Sequence, residues 1–274
     1  TAHEDMIHDS QFDYYAKKLA TCSSDRTIKI YDVSVDEGGK NSVGKSATLT
    51  GHEGPVWQVA WAHPKFGVIL ASCSYDGSVL IHREAPQKTW TKIFRHEVHK
   101  ASVNSIAWAP HEFGLCLACA SSDGCVSILH YKDDMWQVAA PIIENDKLGC
   151  NAVSWAPYSS VGSVSPDAKD TTPMKRLVTA SCDNKVRIWQ CKSSSGAADA
   201  AWTWEEEVMN DADQHSDWVR DVAWAPNTAM PYDIIASCSE DNKVLIWTQN
   251  RDKKWTAKAM PEFGAPVWRV SWSI

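Results

Sequence analysis

Apolar and polar residues alternate with a period of two along much of this chain, in short runs that end at turn residues. Five runs share one pattern: Leu19 to Asp25 and on to Ile30-Tyr31, Leu70 to Asp76 and Ile81-His82, Leu117 to Asp123 and Ile128-Leu129, Leu177 to Asp183 and Ile188-Trp189, and Ile235 to Asp241 and Ile246-Trp247. In each, the Asp sits in a short turn with apolar residues three and five positions after it, so each run reads as a strand–turn–strand hairpin. A second motif precedes most copies: Val56 to Trp61, Val103 to Trp108, Cys150 to Trp155, Val219 to Trp224 and, near the end, Val267 to Trp272. Four of these continue into Ala and then Pro, and proline ends a strand by removing a ladder donor. A third motif follows the hairpin: a polar loop, then a Trp that opens another strand, at Trp90, Trp136, Trp202 or Trp204, and Trp255.

Inner strand, hairpin and outer strand make four strands per roughly 45–50 residues, the period of one propeller blade. The fold class is therefore all-β, a β-propeller of WD-type repeats in one domain over 1–274. Blade 1 covers about 3–50, blade 2 about 51–95, blade 3 about 96–143, blade 4 about 144–210 and blade 5 about 211–261. A partial blade 6 covers about 262–274, so five complete blades and one inner strand are expected. Blade 4 carries a Ser/Pro/Asp-rich insertion from Tyr158 to Met174, and Asp36–Ser46 and Lys192–Ala198 read as further polar loops.

Composition narrows the function. Fifteen Trp in 274 residues fit a repeated structural use of this residue, and a formal net charge of -7 disfavours nucleic acid or an anionic membrane as a direct partner. No apolar run reaches the ~18–20 residues of a membrane span. Nine Cys, mostly inside apolar segments, read as reduced buried thiols. Cys116 and Cys119 have zinc-like spacing, but residues three apart on a strand point to opposite faces. No metal site, cofactor or catalytic residue is expected. Phosphate loops, HExxH helices and GxSxG elbows are missing from the sequence.

Recurring His, Ser/Thr, Asp and Trp positions look like pieces of a catalytic triad, yet they recur blade after blade, which fits internal hydrogen-bond sets. Blade five has His215, Ser237, Asp241 and Trp247; blade two has His52, Ser72 and Asp76, with His82 in the Trp position. Blade one offers His3, Thr21, Asp25 and Tyr31; blade three is weaker, with Cys119 and Leu129 at two positions; blade four lacks the His.

The stretches His3–Asp9, Gly51–Pro64, Gly149–Pro157, His215–Pro226 and Val267–Ile274 closely resemble the small propeller subunit of the COPII vesicle-coat outer cage. That resemblance runs nearly from end to end. It implies a six-bladed open propeller whose missing blade is supplied in trans by a large α-solenoid coat protein, at coats on endoplasmic-reticulum exit sites, with membrane association only through the coat. It also implies a place in the Y-shaped scaffold of the nuclear pore, beside an α-solenoid nucleoporin, and in a nutrient-signalling complex at the lysosome or vacuole. The WD dipeptide itself is absent, Tyr31-Asp32 being the nearest form.

The expected interaction site is the gap between blade one, through Met6, Ile7 and Phe12, and blade six, through Val267, Trp268, Val270 and Trp272. With only two residues before the first motif, no terminal strand is at hand to close the ring. Strand edges and apolar faces left bare invite a partner's strands. A second reading is a peptide reader built from one inner-strand position: Trp57, Asn104, Asn151, Arg220 and Trp268. Against it, aromatic residues in repeats are usually packed.

Overall fold

The computed structural model describes residues 3–35, 39, 41–160, 173–193, 202–207, 209, 213–226, 232–249 and 254–273. The chain forms two compact units, Thr1–Trp108 and Ala109–Ile274.

In the first unit, strands β1 (Ile7–Phe12), β2 (Lys18–Ser23), β3 (Ile28–Val35) and β4 (Asn41–Leu49) form one four-stranded sheet. A second contains β5 (Val56–Trp61), β6 (Ile69–Ser74), β7 (Val79–Glu84) and β8 (Trp90–His96). Both are antiparallel meanders in chain order, as the repeat predicts. β9 (Val103–Trp108) closes the unit. The second unit holds β10 (Cys116–Ser121), β11 (Cys125–Lys132) and β12 (Met135–Glu144), paired in the same antiparallel way. Two complete sheets follow: β13 (Cys150–Trp155), β14 (Arg176–Ser181), β15 (Val186–Ser193) and β16 (Trp202–Glu207), then β17 (Val219–Trp224), β18 (Ile234–Ser239), β19 (Val244–Gln249) and β20 (Trp255–Ala259). The Trp residues expected to open outer strands do so at Trp90, Trp202 and Trp255, and Trp136 is the second residue of its strand.

Two sequence expectations need correcting. Asp36–Ser46 is not loop throughout, because β4 begins at Asn41 and pairs with β3 from Val35↔Asn41 onward. Polar side chains on a solvent-facing outer strand do not interrupt the ladder, since backbone groups make it. Val267–Trp272, expected as an inner strand, joins no ladder among the described residues. Most of the Tyr158–Met174 insertion, and residues 194–198, lie outside the described residues.

The repeat's hairpin turn has a specific backbone demand. The residue after the turn Asp is left-handed in every copy: Arg26 (φ 66), Gly77 (φ 82), Gly124 (φ 82), Asn184 (φ 70) and Asn242 (φ 65). Gly and Asn bear this conformation at little cost, whereas Arg26 does not. At Gly124 space also decides, because a Cβ there would lie 2.0 Å from the Asp146 carbonyl oxygen. A serine two residues before the Asp pins the same turn. Ser23, Ser74, Ser121 and Ser239 are fully buried, and each accepts the N–H of its Asp at 3.1 Å.

Apolar residues at matching repeat positions fill the space between neighbouring sheets. In the first unit Ala20, Cys22, Ile28, Ile30, Val56, Val59 and Leu70 form one cluster. In the second, Val178, Ile188, Val219, Val222, Trp224, Ile235, Leu245 and Trp247 belong to another. Burying each large aliphatic side chain contributes roughly 1.5–3 kcal/mol. Polar pegs repeat as well. Trp61 Nε1 donates to the Gln11 carbonyl at 2.9 Å, and Trp108 Nε1 to that of Ala60 at 2.9 Å. The Val59 N–H meets Asp9 Oδ2 at 3.2 Å, and the Ile106 N–H meets Gln58 Oε1 at 2.8 Å. In the first unit each inner strand is thus tied to the one before it.

Candidate interaction edges and the hydrogen-bond sets behind them

The His/Ser/Asp positions converge as structural sets. In blade five Trp247 Nε1 donates to Ser237 Oγ at 2.9 Å, Ser237 Oγ lies 2.8 Å from His215 Nε2, and His215 Nδ1 lies 2.9 Å from Asp241 Oδ2. Trp can only donate and a carboxylate can only accept, so protons run one way: indole to hydroxyl, hydroxyl to imidazole, imidazole N–H to carboxylate. Burial pushes the pKa of His215 below its ordinary value, consistent with the neutral ring this order requires. Burial opposes ionisation of Asp241, but the Ser216 N–H and His215 outweigh it and hold the carboxyl below its usual range. In this set the indole, hydroxyl, imidazole and carboxylate are all bonded to one another.

Other copies vary. In blade one His3 contacts Asp25 Oδ2 and Thr21 Oγ1, both at 2.8 Å. In blade two His52 Nε2 reaches Ser72 Oγ at 2.8 Å, while Nδ1 sits nearer Ser78 Oγ (3.1 Å) than Asp76 Oδ2 (3.4 Å). His82, in the Trp position, is buried and its Nδ1 has no partner. Burial, with His52 and Lys92 nearby, pushes its pKa down to about 4.

Blade four does lack the His, and the structure supplies a substitute that sequence register hides. By register the position belongs to Asp146, but Asn145, one residue earlier, does the bonding. Asn145 Oδ1 accepts from Thr179 Oγ1 (2.6 Å) and Trp189 Nε1 (3.2 Å), and its Nδ2 donates to Ser181 Oγ (2.5 Å). Asp183 is released from this set and pairs with Arg187.

Seven of the nine cysteines are buried, Cys125 and Cys182 being half-buried. Cys22, Cys73 and Cys238 are fully buried, and burial raises Cys116 to about 11 and Cys119 and Cys238 to about 12. At neutral pH these thiols are protonated, poor both as ligands and as nucleophiles. Among the described residues no cluster of His, Cys, Asp or Glu is arranged to hold a metal.

Sequence reasoning missed a buried ionic latch. Arg176 opens β14, its side chain wholly buried, and it bonds Asp233 Oδ2 at 2.7 Å, Glu207 Oε2 at 2.7 Å and Gln249 Oε1 at 3.2 Å. Its guanidinium lies 4.9 Å from the centre of the Trp224 ring. Lys18 holds the same repeat position in the first unit and bridges Asp32 (2.8 Å) and Glu84 (2.9 Å), on β3 and β7, the third strands of successive sheets. The available signal was a lone basic residue opening a buried strand, at Lys18 and Arg176, where other copies have Ile69, Cys116 or Ile234.

The residues assigned to an interaction edge fall in separate units. In the first, Met6 (69%), Ile7 (48%) and Phe12 (57%) stand exposed on and beside β1. In the second, Val267–Trp272 lies along β17 through the repeat's own pegs. The Val270 N–H meets Asp221 Oδ2 at 3.0 Å, and Trp272 Nε1 donates to the Ala223 carbonyl at 3.0 Å. Val267, Val270 and Trp272 are half-buried, and Trp268 is 59% exposed. Next to them Ile246 is only half-buried, although its repeat equivalents Ile30, Ile81, Ile128 and Ile188 are fully buried. The inner-strand position proposed for peptide reading is internally engaged: Trp57 packs edge-on against His8 at 4.5 Å and donates to Ser102, and Arg220 stacks under Trp268 at 4.5 Å and pairs with Glu240.

Comparison with known proteins agrees with this architecture. The family "WD domain, G-beta repeat" matches residues 1–32, 44–83, 145–190 and 208–248, and "Anaphase-promoting complex subunit 4 WD40 domain" matches residues 65–157. "Protein transport protein SEC13 homolog A" of Arabidopsis thaliana is 56% identical, across all of this chain and 87% of its own length. "Protein SEC13 homolog" of Dictyostelium discoideum is 53% identical, over all of this chain and 86% of its length. The Drosophila melanogaster "Protein SEC13 homolog" is 44% identical, over all of this chain and 73% of its length. Repeat, pegs, hydrogen-bond sets and full-length identity point the same way: the chain belongs to the SEC13 family of WD-repeat β-propeller proteins.

Proposed function

We propose that this chain is a non-catalytic scaffold subunit in protein transport, one propeller domain that stiffens the COPII coat on vesicles leaving the endoplasmic reticulum. The observation that carries the reading is the identity of 53–56% across the whole chain to proteins whose names place them in the SEC13 family, one of them a protein transport protein. The exposed edges support the manner of assembly. Met6, Ile7 and Phe12 in one unit stand exposed on and beside β1, and in the other unit Val267, Trp268, Val270, Trp272 and Ile246 offer apolar surface along a segment that joins no ladder among the described residues. Strands donated by an α-solenoid coat protein would cover it by β-augmentation. The same surface serves an α-solenoid nucleoporin at the nuclear pore scaffold and, by extension, a nutrient-signalling complex at the lysosome or vacuole. Membrane contact is indirect in each, and nucleic acid is not a partner.

Affinity purification of the tagged chain from its own cells, with mass spectrometry of co-eluting chains, is the test. Large α-solenoid proteins in stoichiometric amounts are expected. Co-expression with the solenoid's N-terminal β-segment is expected to raise the melting temperature, as when a ligand binds only the folded state. Recovery of short modified peptides alone, with no gain from the solenoid segment, would overturn the scaffold reading.

A further inference from the structure

In the first unit, the connectors joining β1 to β2 and β5 to β6 come together as an exposed aromatic surface. Tyr14 (69% exposed) and Tyr15 (62%) meet edge to face at 5.1 Å, and Tyr14 packs on His63 at 5.3 Å. Lys65 lies over Phe66 at 5.3 Å. The second unit's counterpart, Phe113, is instead covered by Tyr158 at 4.9 Å and by Lys175 at 5.1 Å. Tyr is a frequent anchor of protein interfaces, because a large rigid ring loses little entropy when it is fixed.

An open groove of about 580 Å³ adjoins this surface, sharing Lys17 with the first connector and Val68 with the second. Its other walls include Lys18, Asp32, Glu84 and Lys88. Lys18 bridges the two carboxylates at 2.8 and 2.9 Å, and Lys88 stands at 3.7 Å from Asp32 with its side chain 75% exposed. Asp13, the acid within the connector, spends its Oδ1 on the N–H groups of Lys17 and Lys18 at 2.6 and 2.7 Å. Counting Lys65 and Asp13 of the adjoining connectors, four lysines thus stand against three carboxylates, on a protein whose formal net charge is -7. The local excess of positive charge runs against the charge of the whole, and it sits beside rings that want a covering.

We propose that this groove and its Tyr14–Tyr15 rim bind an acidic segment of a partner protein, one in which Glu or Asp alternates with apolar residues. The carboxylates answer Lys17, Lys65 and Lys88, and the apolar side chains lie against Tyr14, Tyr15, Val68 and Pro86. This surface lies outside the edge residues assigned above, so it stands or falls separately from the scaffold reading.

The test is fluorescence anisotropy with a fluorescein-labelled peptide of alternating Glu and Leu, beside a twin of alternating Lys and Leu. The acidic peptide is expected to bind and the basic twin not, with affinity falling as salt shortens the screening length. Tyr14→Ser/Tyr15→Ser and Lys17→Glu/Lys65→Glu are each expected to weaken binding by about tenfold or more. All four positions are exposed or at a turn, so melting temperature should stay at the wild-type value, and hydrogen exchange should show protection of residues 13–18 and 62–68 on binding. Absence of binding, equal binding of the basic twin, or unchanged affinity in both variants would each overturn the proposal. So would capture of phosphatidylserine vesicles that is lost in the same variants while the peptide does not bind.

Discussion

Replacing Arg176 by Met tests how neighbouring sheets are coupled in the second unit. Met keeps much of the aliphatic stem and removes the guanidinium, leaving Asp233 and Glu207 without their shared cation. Asp233 is 6% exposed at the side chain and Glu207 13%, so water cannot replace the lost charge. Breaking one member of a buried pair costs about 3–5 kcal/mol, more than the intact pair contributes, because an uncompensated charge is left behind. Glu207 retains Trp255 Nε1 at 3.0 Å and Gln249 Nε2 at 2.6 Å, which places the expectation toward the lower figure. Stacking on Trp224 is also lost, roughly 1–2 kcal/mol for a desolvated cation over a ring. The sum corresponds to a fall in melting temperature on the order of 10 °C for a unit of this size. Thermal unfolding followed by circular dichroism reads it, and adding Asp233→Asn to Arg176→Met separates causes. If uncompensated charge dominates, the double variant regains stability over the single one. A single variant that melts within about 2 °C of wild type, or a double variant no better than the single, would refute the latch as a coupling element.

Four further outcomes follow from the same geometry. Asp241→Ala should cost about 1.5–3 kcal/mol in denaturant unfolding through loss of the His215 and Ser216 bonds, and equal stability would show the set to be idle. Gly124→Ala should be strongly destabilising, by about 2 kcal/mol or more, since the new Cβ meets the Asp146 carbonyl oxygen at 2.0 Å, whereas Gly264→Ala, with nothing within 4 Å, should be silent. Arg26→Gly should stabilise by up to about 1 kcal/mol by relieving a left-handed Arg, and a loss would mean that its side chain does more than the backbone suggests. Stability should fall as pH drops from about 6.5 toward 4, because burial holds His82 and His96 near 4 in the folded state against 6.5, so the unfolded chain binds the extra protons; a midpoint of urea unfolding unchanged between pH 7 and pH 4.5 would contradict it.

Most of the interior was legible because one geometry is imposed repeatedly. A period of two and an Asp at the turn locate β2–β3, β6–β7, β14–β15 and β18–β19, with a Trp at the strand end in the last two. The left-handed residue after each Asp explains why Gly or Asn stands there in four copies of five. Legibility failed where a contact is not periodic. Asn145 replaces a His from the neighbouring register, because a short amide reaches Thr179 and Ser181 from one residue earlier. Arg176 finds Asp233 and Glu207 at sequence separations of 57 and 31, across loops whose lengths differ from blade to blade. Val267–Trp272 carries the inner-strand pattern, but a ladder needs a hydrogen-bonding neighbour, which the pattern alone cannot provide.

The division of labour between these two kinds of contact bears on what a scaffold needs. The His/Ser/Asp sets close within a single sheet, so each fixes its own hairpin turn and says little about the next sheet. Resistance to shear between sheets must come from contacts that cross: the indole pegs, the apolar clusters and the ionic ties. Pegs such as Trp61 to Gln11 and Trp272 to Ala223 recur at one position and set spacing between inner strands. The ties at Lys18–Glu84 and Arg176–Asp233 act one or two strands further out, from the second strand of one sheet to the hairpin of the next. A sheet held at both its inner strand and its hairpin resists pivoting about either one. Stiffness therefore rests on a few non-repeating residues at the hairpin strands, and those are the positions where substitution should soften an assembly before it unfolds the subunit.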